Sequence, residues 1–322
     1  MTGPTVSVVI PSYNHETYVC DAVDSALDGW SGALEVVVVD DGSTDSSRDR
    51  LDRYRDDHRV RLIEQANRGA HDALNRGLKM CTGDFVFILN SDDWFEPQRI
   101  PRLVDRLVSD PNASLATSWL RVIDGDGADL GVKRGWHNMP PWNPPTSGPY
   151  LSDGGDPRLA LLEANWVATT SNLAFRRSLM SDSRLAFLPL RYAHDWDFIL
   201  SASQLGGIQL VEEPLLRYRV HDANTIREGL DTGRGVMRFE ALWVVARHAM
   251  RLLHSIGGDR RNRDRLAALF WRSAPTFGRD TILEQLIAIR GDDSEPPSAY
   301  DRLLDPENPF RCAAIEALQA RP

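Results

Sequence analysis

Residues 34–45 read Leu34-Glu35-Val36-Val37-Val38-Val39-Asp40-Asp41-Gly42-Ser43-Thr44-Asp45. Four consecutive valines predict a short strand buried on both faces, as strands of parallel sheets are. The run stops at two carboxylates and a glycine turn. Similar short apolar runs stand at 6–10, 60–64 and 85–89, with helical patterns between them at 16–27, 46–55 and 70–80, and a fourth at 97–109 that opens on Pro97. Strands alternating with helices of this size predict βαβ units and an open, mostly parallel sheet. In such sheets ligands bind beyond the carboxyl ends of the strands.

Working outward, the pattern loosens after residue 115. Strands are expected at 115–123, 172–175, 208–211 and 215–220, with a hairpin turn at 124–127 and a helix at 195–205. Residues 135–158 carry six of the 19 prolines and two tryptophans, a long loop of the kind that often serves function. From about Gly229 the chain reads as helices at 236–255, 263–271, 282–289 and 312–320. The helix at 236–255 carries an apolar stripe through Phe239, Leu242, Trp243, Ala246, Met250 and Leu253. That stripe leaves three uses open: packing on the rest of the chain, a partner helix or homo-oligomer interface, and peripheral membrane contact.

The 322 residues carry 37 basic and 46 acidic side chains, a net charge of −9. Residues 1–228 hold a net −10 and residues 229–322 a net +1, so a boundary is placed at 228. The acidic balance excludes a duplex nucleic-acid binder, which needs a basic footprint. Three scattered cysteines, Cys20, Cys81 and Cys312, make neither a disulfide framework nor a zinc site. No apolar run reaches the roughly 18 residues of a membrane span. The first run lacks the length and basic flank of a secretory leader. A soluble, cytoplasmic protein is expected.

Four motifs carry candidate chemistry. Asp40-Asp41 and Asn90-Ser91-Asp92-Asp93 each follow a predicted strand. Taken singly, each is either a capped turn or a ligand site. Two acidic pairs at one edge of one sheet are costly unless a cation or ligand offsets their repulsion. Hard divalent cations such as Mg²⁺ take one or two carboxylates plus substrate phosphates. His194-Asp195-Trp196-Asp197 opens a helix, where an Asp is a cap or an inward-facing base. Arg217-Tyr218-Arg219-Val220-His221 ends a strand. No G-x-G-x-x-G or G-x-x-x-x-G-K-[ST] is present, which excludes the usual dinucleotide and P-loop sites. Asp124-Gly125-Asp126-Gly127-Ala128-Asp129 lacks a calcium loop's closing Glu and reads as a turn.

These segments, in this order, resemble the family 2 glycosyltransferases. Val6-Ser7-Val8-Val9-Ile10-Pro11-Ser12-Tyr13-Asn14 is similar to that family's opening strand and loop, and Val39 to Asp45 to its second-strand motif. Asn67-Arg68-Gly69-Ala70, Ala73-Leu74-Asn75 and Thr82-Gly83-Asp84 lead into an acidic motif at Asp92-Asp93. Ser171 to Arg176, His194 to Asp197 and Tyr218 to His221 resemble its later motifs. The likeness covers residues 5–228 and leaves 229–322 outside it.

The resemblance implies a GT-A (Rossmann-like) fold with a C-terminal helical subdomain. Residues 1–115 would bind a nucleotide sugar and residues 116–228 an acceptor. It implies an inverting transfer from a nucleotide-diphosphate sugar, with UDP the commonest nucleotide and Mn²⁺ or Mg²⁺ assisting. Asp41 would read the nucleobase, with Pro11 and Tyr13 lining its pocket and Arg68 contacting base or phosphate. Asp92 would lie near the ribose, Asp93 would bind the metal with His221, and Asp195 would be the general base, ionised as an unburied Asp is. Asn90 stands where the family often has Asp. Acceptors consistent with the family are saccharides, as in polysaccharide biosynthesis, and lipid-linked, protein or small-molecule hydroxyls. Trp136, Trp142 and Trp166 are either sugar platforms or core. A catalytically weak nucleotide-sugar-binding scaffold and a sugar nucleotidyltransferase are the alternatives; the latter wants a Gly-rich basic loop where Pro11-Ser12-Tyr13-Asn14 stands.

Overall fold

The computed structural model describes residues 3–142, 157–182, 185–256 and 299–320. The expected helices at 263–271 and 282–289, and most of the 135–158 loop, lie outside the described residues. The chain forms two compact units, one of residues 1–144, 166–188 and 201–221, the other of 145–165, 189–200 and 222–322.

The first unit is built on a mixed sheet in which parallel pairing dominates. Its strands are β1 (Val6–Ser12), β2 (Leu34–Asp40), β3 (Val60–Glu64), β4 (Phe85–Ile88), β5 (Trp94–Phe95), β6 (Ala113–Asp124), β7 (Asp129–Lys133), β8 (Ala174–Arg176) and β9 (Gly207–Val220). Their order is β3-β2-β1-β4-β8-β6-β9-β5, with β7 paired to β6. β1 to β4 are the expected βαβ core, all parallel. β8 is antiparallel to both β4 and β6, and so joins that core to the parallel β6–β9 pair. The strands expected at 208–211 and 215–220 are one strand, whose register against β6 shifts near Trp119. The two-residue β5 was not legible, because Trp94-Phe95 is too short to show a period. The hairpin at 124–127 stands, with the amides of Asp126 and Ala128 both donating to Asp124 Oδ1.

Helices α1 (Val19–Asp28), α2 (Ser47–Leu51), α3 (Ala70–Met80) and α4 (Arg99–Ser109) belong to this unit. Val36, Val37, Val38 and Val39 are completely buried. Helix α3 lies close against β1: a Cβ on Gly77 would meet Val9 Cγ1 at 2.4 Å. Glycine is required there for the approach of helix and sheet. Gly77→Ala is expected to cost about 1–3 kcal/mol through overpacking, read as a lowered urea midpoint.

The strand N-terminal edge is stapled by polar groups. Glu35 Oε1 accepts from Ser7 Oγ and from the Thr82 amide, each at 2.5 Å, and Asp84 Oδ2 accepts from the Thr5 amide at 3.0 Å. Thr82-Gly83-Asp84 thus serves the end of the sheet opposite the acidic motifs.

The second unit contains α5 (Pro157–Glu163), most of α6 (His194–Ala202), α7 (Thr225–Asp231), α8 (Arg234–Ile256), α9 (Ala299–Arg302) and α10 (Pro309–Gln319). Asn308 caps α10, its Oδ1 accepting from the amides of Phe310 and Arg311. Gln319 of α10 accepts from the Gly235 amide at 2.5 Å, and Arg238 of α8 donates to Leu318 O at 3.1 Å. The stripe residues Phe239, Leu242, Trp243 and Ala246 are at most 1% exposed. The protein's own packing covers this part of the stripe, so these four residues are not presented to a membrane or a partner helix. Among the described residues no helix is long and apolar enough to cross a membrane.

Candidate active site

At the carboxyl ends of β1 and β2 two loops clasp each other. The Asp41 amide donates to Ser12 O, the Asn14 amide to Ser43 Oγ, the Thr44 amide to Asn14 Oδ1, and the His15 amide to Ser47 Oγ, all at 2.8–3.0 Å. Glu16 and Asp45 exchange further bonds through the amides of Ser46 and Glu16. Gly42, at φ +76°, makes the bend; a Cβ there would meet the Asn67 amide nitrogen at 2.8 Å. The two motifs that looked independent in the sequence are therefore a single device.

Asp40 and Asp41 divide their work. Asp40 folds back on its own turn, accepting from the Ser43 amide and hydroxyl and from Arg48 Nε. Asp41, 3% exposed, accepts from Gln65 Nε2 and from the backbone amides of Arg68 and Gly69, each at 2.8 Å. An ionised carboxylate has about four acceptor positions, so one is left. Asp41 thereby fixes the 65–69 loop and presents the exposed Arg68 side chain. Tyr13 is exposed and Pro11 half-buried beside the same loops.

Beyond β4 the next acidic pair also divides. Asp93 is buried: Ser171 Oγ donates to Oδ2 at 2.5 Å and the Arg219 amide to Oδ1 at 3.0 Å. Burial, and then the charge of Asp92, raise its pKa well above the usual carboxylate range. Asp92 faces two imidazoles, His221 Nε2 at 3.1 Å and His15 Nε2 at 3.9 Å from its Oδ2. Burial works against its charge, but the His221 hydrogen bond and then the charges of His15 and His221 hold its pKa below the ordinary value. The sequence reading gave Asp93 and His221 to a metal; the structure brings His221 to Asp92. One ligand atom each from His15, Asp92 and His221 lies within 4.8 Å of the others.

The later motifs support this pair. Asn90 bonds to Thr169 and Thr170 side chains, which an amide does without adding a further negative charge. Asn172 accepts from the Ser118 amide and from Arg99, and donates to the carbonyls of Ser118 and Val167. Arg219 donates to the carbonyls of Asp92 and Gly125 and lies over the Tyr18 ring at 4.4 Å. Arg99, wholly buried, was not singled out in the sequence, and nothing in its α4 context distinguishes it. Burial lowers its pKa to about 9 while Asp93 opposes the shift. Trp142 and Trp166 are core residues, Trp142 against Tyr218 with ring centroids 4.7 Å apart. Trp136 is half-buried beside His137.

In the second unit, α6 begins at His194-Asp195. Asp195 Oδ2 accepts from Asn165 Nδ2 at 2.9 Å and Oδ1 from the Trp196 amide at 2.7 Å. Asp195 is 9% exposed, and burial pushes its pKa up to about 7 against those two bonds. This corrects the expectation of an unburied, freely ionised Asp. Asp197 is held by Arg247 Nη1 at 3.1 Å and His248 Nε2 at 2.8 Å, both from α8. Burial opposes its charge, but Arg247 and His248 prevail and its pKa is lowered. Glu240, also on α8, accepts from the amides of Arg191, Tyr192 and Ala193 just before the α6 turn. Helix α8 thus anchors the His194–Asp197 segment. The sequence could not show this, since Glu240, Arg247 and His248 match no motif and lie 43 or more residues away.

The glycosyl transferase family 2 model matches residues 7–180. An uncharacterized glycosyltransferase of Nostoc sp. is 30% identical over 68% of the chain. The chain spans 66% of that relative's length. Staphylococcus aureus TarS, solved in complex with UDP-GlcNAc, aligns with a TM-score of 0.61 at 19% identity, covering 84% of this chain and 73% of that one. Glucosyl-3-phosphoglycerate synthase from Mycobacterium tuberculosis, solved with Mg²⁺ and UDP, aligns with a TM-score of 0.51 at 20% identity, covering 76% and 79%. The order of strands, the placement of both acidic pairs at their carboxyl ends and these matches together make a GT-A fold, and the chain belongs to the family 2 glycosyltransferases.

Proposed function

We propose that the protein transfers a sugar from a nucleotide-diphosphate donor, UDP-linked first among the candidates, to an acceptor hydroxyl with inversion at the anomeric carbon. The observation that carries this reading is the division at the end of β4, where Asp93 is consumed by the fold and Asp92 is left facing His221. A carboxylate and an imidazole from two strand ends fit a divalent cation. Asp92 and His221 would hold it, in place of the Asp93–His221 pair expected from the sequence. Bound there, Mn²⁺ or Mg²⁺ would supply positive charge against a leaving diphosphate. Solved proteins of this fold carry UDP-GlcNAc in one case and Mg²⁺ with UDP in another, which supports the donor class.

The chain's own residues do the rest. Asp41 holds the 65–69 loop and keeps one acceptor position for a nucleobase N–H, with Pro11, exposed Tyr13 and Arg68 alongside. Asp195 takes the proton of the acceptor hydroxyl while that oxygen bonds to the anomeric carbon and the carbon–phosphate oxygen bond breaks. Asn165 orients the carboxylate and Asp197, locked by α8, fixes the turn that carries it. Calorimetry with UDP, dTDP and GDP, each with and without Mn²⁺, tests the donor reading. Micromolar binding of one nucleotide that needs the cation is expected; binding of none would overturn it.

A further inference from the structure

We infer that His15 is a third protein ligand to the cation, so that the protein takes up a transition-series divalent ion before any nucleotide arrives. The inference rests on the proposed use of Asp92 and His221 as cation ligands and adds to it a residue, an order of binding and a metal preference.

The three side chains come from three separate strand ends: His15 after β1, Asp92 after β4 and His221 after β9. Ligand atoms around an ion with bonds of about 2.1 Å sit about 3.0–3.4 Å apart. The Asp92–His221 separation, 3.1 Å, already meets this, and the His15–Asp92 separation, 3.9 Å, is a small side-chain adjustment away. The His15 ring is oriented at its other nitrogen, where Nδ1 and Ser91 Oγ share a hydrogen bond of 2.7 Å. With the proton on Nδ1, Nε2 turns its lone pair to the cluster, the arrangement by which metal-binding imidazoles are fixed. The ring is also walled by His221, at 5.6 Å between centroids and nearly perpendicular. Its backbone is anchored separately, the amide on Ser47 Oγ and the carbonyl accepting from Tyr18 and Val19. Side-chain exposures of 20%, 13% and 10% for His15, Asp92 and His221 leave the cluster reachable but sheltered.

The chemistry of the set decides the rest. Two protein ligands hold a divalent ion weakly, and the nucleotide must then bring it. Three ligands make a site that loads alone and keeps open positions for the diphosphate. Imidazole nitrogen suits Co²⁺ and Zn²⁺ best and Mn²⁺ less, since Mn²⁺ stands lowest in the affinity order of the series, whereas hard Mg²⁺ takes oxygen ligands. A divalent ion held by a single carboxylate leaves the loaded site with a net positive charge for an anionic donor.

The test uses the nucleotide-free full chain titrated with Mn²⁺, Co²⁺ and Mg²⁺, read by Mn²⁺ paramagnetic resonance and Co²⁺ visible absorption. Wild type is expected to bind one equivalent of Mn²⁺ or Co²⁺ at least 10-fold more tightly than Mg²⁺. His15→Ala and His15→Gln are expected to weaken Mn²⁺ binding by 10-fold or more with unchanged melting temperature. If either variant fails to fold, Ser91→Ala carries the test, with a weakening of about 10-fold expected from loss of the ring's orienting bond. Wild-type affinity for Mn²⁺ in the His15 variants overturns the inference. So does a wild type that binds Mn²⁺ only with UDP present, although Asp92 and His221 then keep their proposed role. Absence of Mn²⁺ binding even with UDP overturns both.

Discussion

Asp195→Asn is expected to lower sugar transfer by about 10²–10⁴-fold, the usual worth of a general base, while donor binding measured by calorimetry stays at the wild-type level. Asn keeps the shape and, with the Asn165 amide turned over, both hydrogen bonds. What is lost is the negative charge and, with it, the ability to take a proton. Because burial pushes the Asp195 pKa up to about 7, wild-type transfer should rise with pH through that value as the base ionises, and the Asn variant should show no such limb. The same burial has a stability consequence. Between about pH 3.8 and 7 the folded protein holds this proton more firmly than the unfolded chain does. Its contribution is therefore fully favourable below pH 3.8, falls as pH rises through the window and levels above 7. Replacing Asp195 by Asn removes a cost bounded at about 4 kcal/mol, from about 1.4 kcal/mol per pKa unit, so the variant should melt higher than wild type at pH 8. Undiminished transfer by Asp195→Asn would remove this residue from the mechanism.

The second large effect separates two neighbours. Asp92→Asn should weaken cation-dependent UDP binding by about 100-fold or more, since outer-shell changes at metal sites alone cost about 10–100-fold. Asp93→Asn should leave it within a few-fold. The physical reason is the hydrogen-bond demand at each place. Asp93 meets one hydroxyl and one backbone N–H in a buried setting that raises its pKa, so a neutral amide answers both: its oxygen accepts from the Arg219 amide and its NH₂ donates to Ser171 Oγ. Asp92 faces two imidazoles, which an amide cannot match with negative charge. Titration of both variants with Mn²⁺ and UDP decides it. Equal losses in the two, or a loss confined to Asp93→Asn, would return the cation to Asp93.

Much of the site was legible because it depends on strand ends. Short apolar runs ending in Asp40-Asp41 and Asn90 to Asp93 placed both carboxylate pairs at the same edge of a parallel sheet, and the structure has them there. Asn14, Gly42, Ser43 and Asp45 were visible as motif residues, but not as partners, since hydrogen bonds between loops about 30 residues apart leave no local signal. Trp142 and Trp166 could have been sugar platforms from sequence alone; burial made them core. The net −9 contains the same lesson, because Asp40, Asp41 and Asp93 are taken up by turns, amides and a serine, which leaves Asp92 as the carboxylate of the pair turned toward the histidines.

By itself the sequence determined the family, the βαβ order and the edge at which chemistry belongs, because period, length and motif order are local properties of the chain. Only the tertiary structure decided which of two adjacent aspartates faces histidines and which is spent on Ser171 and Arg219, because that choice is made by residues 78 and 126 positions away. Only the tertiary structure, likewise, buried Asp195 and moved its pKa to about 7. It also tied Asp197 to Arg247 and His248 of α8, a contact that no motif records. A carboxylate's charge and reach depend on what surrounds it, and those surroundings are assembled from distant parts of the chain.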